Sequence, residues 1–255
     1  MLKIHEITDF LETKYSLELA CDWDKIGLQI GDYQRPVRCI MVVLEATSPV
    51  IDEAITQNVD LIITHHPFIF ASLTEIDLAT PKGKNIEKLI KNDISLYSMH
   101  TNYDIADGGM NSILAEILAL KNTVQFAEGI GRIGQFETEV DFSQLLEFIK
   151  TKFGLDKITF VDSGKKVINK IAIIGGSGGD YIDAAKSAGA DVLITGDIKY
   201  HTAIDAQEIG LNMVDIGHYA EAVMEEKVKA LLTKQFNSQL DVLVPTGGKN
   251  PLEIK

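Results

Sequence analysis

The sequence predicts an α/β fold of two related α/β domains, each with a mixed or mostly parallel sheet flanked by helices. Three observations predict it: short apolar runs alternate with segments of helical spacing, one strand–helix–strand pattern occurs twice, and polar residues directly follow several predicted strands. The predicted first domain is discontinuous, with residues 1–127 and 215–255, and the second comprises residues 128–214. The discontinuity follows from the expectation that the segment near residue 218 returns to the histidines near residue 65.

The composition is that of a globular protein, with 255 residues of which 45% are apolar, and a net charge of −13. No basic run is present, which argues against nucleic acid as the main partner. A small phosphorylated ligand is still compatible, because a metal or a local lysine can reverse the field of a cleft. The cysteines, Cys21 and Cys39, have no CxxC spacing, so we expect no disulfide framework and a cytoplasmic location. No run approaches the ~20 apolar residues of a membrane span.

The elements of the first half begin with helical spacing over residues 3–15. Residues 21–31 predict a shaped loop that leads into a short strand, with Trp23 packed beneath the loop. A strand over Ile40–Leu44, a helix with Ser48 as its N-cap, and an apolar strand that ends at His65 then form a βαβ unit, for which we expect a right-handed crossover.

The βαβ pattern recurs 131 residues later, where residues 40–66 align with residues 171–197 without a gap. The repeat predicts a strand over 171–174, a helix over 180–188 and a strand over 191–195. Shared βαβ patterning explains part of the match, but the Asp-x-x-Ile-Thr end indicates a duplicated architecture. Seven positions are identical, namely Ile40/Ile171, Ile51/Ile182, Asp52/Asp183, Ala54/Ala185, Asp60/Asp191, Ile63/Ile194 and Thr64/Thr195.

The remaining elements follow from the same rules. We expect Gly129–Gly134 to lie at the boundary between the two predicted domains. Helices are predicted over 85–91, 110–120 and 219–234 and around Leu145–Ile149, and strands over 94–98, 157–161, 212–216 and 241–244.

Four predicted strands end in clusters of histidine and acidic residues, at His65–His66, His100–Asp104, Asp197–His201 and His218–Glu221. In parallel sheets, sites form beyond the carboxyl ends of the strands. Histidines and carboxylates without thiolates suit Zn, Fe or Mn, and such a set can bind two metals about 3.5–4 Å apart around a bridging water. His218 and Glu221 have the i,i+3 spacing that brings both to one point.

Each of these residues also has a plainer interpretation. His218 and Glu221 could be an incidental pair at a helix cap, Asp104 an Asx-turn residue and His100 a satisfied core imidazole. The glycines of 175–179 could bind a phosphate at a helix N-terminus or form a tight turn. Lys199, Tyr200 and His201 could supply a positive charge and a proton donor, or could be a solvated strand end.

Taken as a set, the motifs resemble those of the GTP cyclohydrolase I type 2 homologue family, the NGG-interacting-factor-like proteins. The resemblance covers essentially the whole chain and is carried by Trp23–Gln29, Thr64–Pro67, His100–Asp104, Gly175–Gly178, Thr195–His201 and Gly217–Glu221. It implies a two-domain α/β subunit of the short form, without the inserted middle domain, assembled as a toroidal hexamer. It also implies a dinuclear site of two divalent transition metals, with Zn, Fe or Mn as candidates. The metal ligands that it implies are His65, His66, Asp104, His218 and Glu221.

The function expected from these motifs is metal-dependent hydrolysis of a nucleotide or another small phosphorylated or heterocyclic substrate. His100, Lys199, Tyr200 and His201 would then position a phosphate or donate a proton. GTP cyclohydrolase activity rests on the family name, because the sequence has no guanine-reading motif. The alternative is a metal-binding regulatory or protein-interaction hexamer without turnover, which a closed coordination shell would favour. A nucleotide-binding protein without metal chemistry would rest on residues 175–179 alone.

Overall fold

The structure, a computed structural model, describes residues 1–252 as two compact units. The first unit comprises Met1–Ala106 and the segment that begins at Ala222, and the second comprises Asp107–Glu221. The predicted borders were residues 127 and 215. Each unit contains one sheet with flanking helices, so the predicted α/β class with two sheets is confirmed.

The helices of this described part are α1 (Ile4–Glu12), α2 (Ser48–Thr56), α3 (Pro81–Lys91), α4 (Thr101–Ile105), α5 (Met110–Ile117), α6 (Phe142–Phe153), α7 (Ile182–Ser187), α8 (Tyr200–Glu208) and α9 (Val223–Phe236). The strands are β1 (Gly27–Ile30), β2 (Cys39–Val43), β3 (Leu61–Thr64), β4 (Ser95–Ser98), β5 (Lys121–Phe126), β6 (Gly131–Asp141), β7 (Thr159–Val161), β8 (Val167–Ile173), β9 (Val192–Thr195), β10 (Asn212–Asp215) and β11 (Asp241–Leu243). None of the helices within residues 1–252 is long and apolar enough to cross a bilayer.

The sheet of the first unit has the strand order β1-β4-β3-β2-β11. All neighbours are parallel except the edge strand β1, which pairs antiparallel with β4. All four residues of β3 are buried, as expected for an interior strand of a parallel sheet. One face of the sheet packs on α2 and α3 through Ile51, Ala54, Ile86 and Leu89. Their burial fixes the position of the strand end that leads to His65.

The sheet of the second unit is mixed, with the order β5-β6-β8-β9-β10-β7. The parallel part is β8, β9 and β10, and the remaining pairs are antiparallel. The β5–β6 hairpin was not predicted. The glycines expected at a boundary lie in its turn and in β6, inside this unit, where they permit close packing. A Cβ atom at Gly131, for example, would lie 2.2 Å from the Phe126 ring.

The predicted repeat is present in the backbone register. β2 pairs with β3 as Ile40↔Leu61, and β8 pairs with β9 as Ile171↔Val192, which is the same pairing 131 residues later. The repeated aspartate also has one role in both copies, because Asp60 and Asp191 each accept hydrogen bonds from two successive backbone amides of the preceding segment. The Asp-x-x-Ile-Thr match therefore has a structural cause.

The predicted starts of four helices need correction. Helix α7, predicted from residue 180, begins at Ile182 after a 3-10 turn over Gly179–Tyr181. The residue that caps α2 is Thr47, and Ser48 is already helical with Pro49 in the first turn. Helix α3 begins at Pro81, four residues before the predicted start, because the hydroxyl of Thr80 caps it by accepting from Gly83 N. The helix predicted from residue 219 begins as a 3-10 turn over His218–Ala222 that leads into α9.

Candidate metal centre

Three of the predicted histidines follow two neighbouring parallel strands of the first unit and lie at the same edge of its sheet. Thr64, the last residue of β3, pairs with Ser98, the last residue of β4. Their hydroxyl oxygens are 2.8 Å apart and join the strand ends by a hydrogen bond. His65 and His66 follow the first strand, and His100 lies two residues after the second, as the rule for parallel sheets predicts.

The His65 imidazole is 1% exposed and is held by the backbone. Its Nδ1 lies 2.9 Å from the carbonyl oxygen of Met99. A carbonyl oxygen only accepts, so Nδ1 carries the proton and Nε2 is the nitrogen that would bind a metal. That Nε2 lies 3.6 Å from Oδ1 of Asp104.

The other two imidazoles are oriented by carboxylates. His66 Nδ1 lies 2.8 Å from Glu45 Oε2, and His100 Nδ1 lies 2.9 Å from Asp24 Oδ1. Acceptors of this kind fix the ring orientation and increase the basicity of Nε2, which is the arrangement found behind metal-binding histidines.

The three rings lie together within the first unit. Ring centroids are 5.0 Å apart for His65 and His66, 5.2 Å for His65 and His100, and 5.8 Å for His66 and His100. One ring nitrogen from each histidine lies within 4.8 Å of those of the other two. Three imidazoles with a neighbouring carboxylate suit Zn or Fe, so this donor set fits a divalent transition metal.

Asp24 is the most deeply buried of the orienting carboxylates, with a side chain that is 0% exposed. Besides His100 Nδ1, it accepts hydrogen bonds from the backbone amide of Thr101 at 2.9 Å and from the Thr101 hydroxyl at 2.5 Å. Burial alone would raise the pKa of Asp24, but the hydrogen bonds from His100 and Thr101 outweigh it and lower the pKa to about 2. The Asp24 carboxylate is therefore ionised at neutral pH and lies next to Nδ1 of His100.

Asp104 lies in α4 and is 8% exposed. Its amide donates to the carbonyl oxygen of His100, so the helical turn places the carboxylate next to the histidine cluster. It is a helical residue and not the Asx-turn residue of the plainer interpretation.

In the second unit, β10 ends at Asp215, and the chain continues through Gly217 into the 3-10 turn that starts at His218. Side chains three residues apart eclipse in a 3-10 turn, and here His218 Nε2 lies 3.3 Å from Glu221 Oε2. His218 Nδ1 lies 2.6 Å from Asp197 Oδ2, so this histidine also has an orienting carboxylate. Glu221 is only 3% exposed.

The glycine-rich loop after β8 makes room for Glu221. A Cβ atom at Gly175 or Gly176 would lie 2.9 or 2.8 Å from Glu221 Oε1. The amides of Gly175 and Gly178 donate to Asn111 Oδ1 and Thr195 Oγ1, both at 2.7 Å. These contacts favour the tight-turn interpretation over a phosphate cradle.

The predicted catalytic residues Lys199, Tyr200 and His201 are exposed and lie at the start of α8, a helix that the sequence analysis did not predict. The Tyr200 side chain is 77% exposed, and its ring centroid is 5.5 Å from that of His201. His100, by contrast, lies within the histidine cluster of the first unit.

Sequence reasoning missed the three carboxylates that orient the rings. Glu45 directly follows the apolar run of β2, so the rule that polar residues after strands form the site would have found it. Asp197 was noted only as part of a cluster, and Asp24 only as part of a motif.

Trp23 was expected beneath its loop, and this is wrong because 55% of it is exposed. A single Trp between two charged residues, Asp22 and Asp24, does not indicate whether its side chain is buried or exposed.

Fold and site together define an α/β protein of two units that carries histidines and carboxylates of the metal-binding type. The pattern of one family, Duf34/NIF3 (NGG1p interacting factor 3), matches residues 2–251. The chain belongs to this family, so the resemblance carried by its motifs is confirmed.

Relatives of known sequence and structure agree. A Clostridium perfringens protein named GTP cyclohydrolase 1 type 2 homolog is 36% identical over 99% of this chain and 100% of its own length. A Bacillus subtilis protein of the same name is 30% identical over 91% of this chain and 93% of its own length, in an alignment of 347 positions, so it carries insertions relative to these 255 residues. The crystal structure of a Bacillus cereus protein related to NIF3 superposes with a TM-score of 0.93 at 29% identity, covering 100% of this chain and 99% of that one.

Proposed function

We propose that this protein binds two divalent transition-metal ions per chain and uses them to hydrolyse a nucleotide or another small phosphorylated or heterocyclic compound. The observation that carries the proposal is the cluster of His65, His66 and His100, in which every Nδ1 is engaged by an oxygen acceptor. Three buried or half-buried imidazoles oriented in this way are costly to build for packing alone, because apolar side chains would fill the same space without desolvating polar groups.

In this proposal, the metal ligands are His65, His66, Asp104, His218 and Glu221. Each unit already pairs an imidazole with a buried carboxylate, since His65 lies next to Asp104 and His218 next to Glu221. Mixed nitrogen and oxygen donors of this kind suit Zn, Fe or Mn.

A metal pair, when bound, supplies Lewis acidity and lowers the pKa of water at the site. The chain's own residues orient the substrate and move protons. His100 lies in the same histidine cluster but is not one of the proposed ligands. We assign its Nε2 a role in holding or transferring a proton, because Asp24 fixes the other nitrogen of that ring. Lys199, Tyr200 and His201 are assigned to the substrate, with Lys199 as the partner for a phosphate. Their exposure at the start of α8 leaves them accessible to a ligand.

The first substrates to test are guanine nucleotides, because the relatives described above are named GTP cyclohydrolase 1 type 2 homologs. Protein loaded with Zn, Mn or Fe is incubated with a nucleotide panel, and products are followed by chromatography and mass analysis. The proposal expects turnover that His66→Ala abolishes. The control is His5→Ala, which removes the one histidine outside the strand-end clusters. Metal-loaded protein that turns over none of the panel would favour the regulatory or protein-interaction role.

Assembly and location belong to the same proposal. A toroidal hexamer is implied by the family resemblance, and light scattering coupled to size-exclusion chromatography tests it directly. Cys21 and Cys39 are both present as thiols and not as disulfides. Thiols suit a reducing compartment, which supports a cytoplasmic location.

A further inference from the structure

Two exposed aromatic side chains stand beside the histidine cluster of the first unit. Trp23 is 55% and Phe70 is 52% exposed. Their ring centroids are 6.1 Å apart, and each lies close to His100, at 6.1 Å for Trp23 and 6.3 Å for Phe70. None of these three pairs is stacked face to face, since the interplanar angles are 68°, 74° and 89°. The three rings therefore form an aromatic corner that opens to solvent.

One backbone neighbour of each exposed ring is held by hydrogen bonds. Trp23 precedes Asp24, whose buried carboxylate accepts hydrogen bonds from the His100 ring and from the Thr101 amide. Phe70 follows Ile69, whose amide donates to Gln29 Oε1 at 2.8 Å. Gln29 Nε2 in turn donates to the carbonyl oxygens of Ile69 and Lys25, at 3.1 and 2.8 Å.

Two adjacent exposed aromatic rings leave apolar surface in water, which a bound ligand would cover. Burial of a Trp or Phe ring is among the larger sources of folding free energy, and this chain forgoes part of it at both positions. The hydrogen bonds that fix the flanking backbone reduce the entropy lost on binding, as preorganised sites do.

We infer that Trp23 and Phe70 form a stacking site for a planar heteroaromatic ring of the ligand, which they hold next to His100. The reaction that the bound ring undergoes rests on the proposed function. Stacking of the ring on Trp23 and Phe70 does not depend on turnover. Aromatic side chains bind the π-faces of nucleobases and related heterocycles with little regard to their substituents, whereas a bare sugar or phosphate offers no such face. The inference narrows the proposed substrate class to compounds with a flat heteroaromatic ring.

Trp23 is the only tryptophan of the chain, so its fluorescence reports this corner alone. Metal-loaded protein is titrated with guanosine and with adenosine up to millimolar concentration, and with ribose as the ring-free control. Calorimetry on the same samples gives the dissociation constants, including those of Trp23→Phe and Trp23→Ala, in which the reporter is absent. Metal content is measured for every variant.

The expected result is saturable quenching by both nucleosides and none by ribose. Phe70→Ala should weaken nucleoside binding about tenfold or more, as loss of one stacking partner does. Trp23→Ala should do the same, and Trp23→Phe should recover part of the affinity. Leu73→Ala is the matched control, because Leu73 is an exposed apolar residue (42%) of the same segment, three residues after Phe70. It should bind as the wild type does.

Three results would overturn the inference. They are absence of nucleoside binding, an effect of Phe70→Ala no larger than that of Leu73→Ala, and Trp23 fluorescence that depends on protein concentration but not on nucleoside. The last would mean that the corner is an interface between copies of the chain. All three concern stacking, whereas loss of the proposed metal site would appear separately in the metal content.

Discussion

The imidazole of His100 and the carboxylate of Asp24 form a buried pair in the first unit, with Nδ1 and Oδ1 2.9 Å apart and the Asp24 side chain shielded from solvent. The sequence separates the two residues by 76 positions. Their contact connects the loop that carries Trp23 to the strand end that carries the histidines, so one hydrogen bond supports both the histidine cluster and the aromatic corner.

Asp24→Asn should destabilise the metal-free protein. Because hydrogen bonds lower the folded-state pKa of Asp24 from 3.8 to about 2, its ionised form stabilises the fold by about 2 kcal/mol at neutral pH. A lowered carboxyl pKa gives stability that is fully present above pH 4 and is lost as the pH falls towards 2. Urea unfolding should therefore show a large difference between Asp24→Asn and wild type at pH 7, and a smaller one at pH 3.

The control for that series is Asp22→Asn, because Asp22 is exposed and two residues away. It should match the wild type at both pH values. A difference between Asp24→Asn and wild type that grows on acidification would contradict the assignment of Asp24 as a carboxylate stabilised in its ionised form.

Glu45→Gln should weaken metal binding without removing a proposed ligand. Glu45 Oε2 orients the His66 ring at 2.8 Å, and loss of such a partner typically lowers metal affinity about 10- to 100-fold. Competition with a zinc chelator of known affinity measures the change. Glu75→Gln, at an exposed position of the same unit, should leave the affinity unchanged. Equal affinities for all three proteins would contradict a role for Glu45 in orienting His66 for metal binding.

Gly176→Ala should lose metal because the new methyl group would displace Glu221. Its Cβ would lie 2.8 Å from Glu221 Oε1. Gly108→Ala is a matched control, since Gly108 also has positive φ (73°, against 60° for Gly176) but no atom within 4 Å of an added Cβ. Both variants should lose about 1–2 kcal/mol of unfolding free energy to backbone strain. Only Gly176→Ala should bind less metal, and equal metal content in the two would argue against Glu221 as a ligand.

Asp60→Asn and Asp191→Asn should each destabilise the protein by about 1–3 kcal/mol, because each carboxylate accepts from two backbone amides of the neighbouring strand segment. Urea unfolding at pH 7 measures both. Asp183→Asn, another aspartate of the repeat but an exposed one, should have little effect. A negligible effect of both Asp60→Asn and Asp191→Asn would mean that the repeated aspartate does not stabilise the βαβ unit.

The sequence predicted those features that depend on local patterns. The buried strand before His65, the 131-residue repeat and the polar residues after strands all follow from hydrophobic spacing, and the structure contains each of them. The β5–β6 hairpin was missed because β5 is mostly exposed and lacks an apolar run. Partners far apart in the chain, such as Asp24 with His100 or Gly176 with Glu221, are set by tertiary packing, and one sequence carries no signal for them.

The most direct test of the central claim is the metal content of protein purified without chelator, determined by elemental mass analysis. The wild type is compared with the double variant His66→Ala, Glu221→Ala, and His5→Ala serves as the control. A dinuclear centre predicts roughly two transition-metal equivalents per chain in the wild type and in His5→Ala, and loss of metal in the double variant. Wild-type protein that is metal-free, and that takes up no Zn, Mn or Fe when these are supplied, would contradict both the metal centre and the hydrolase built on it.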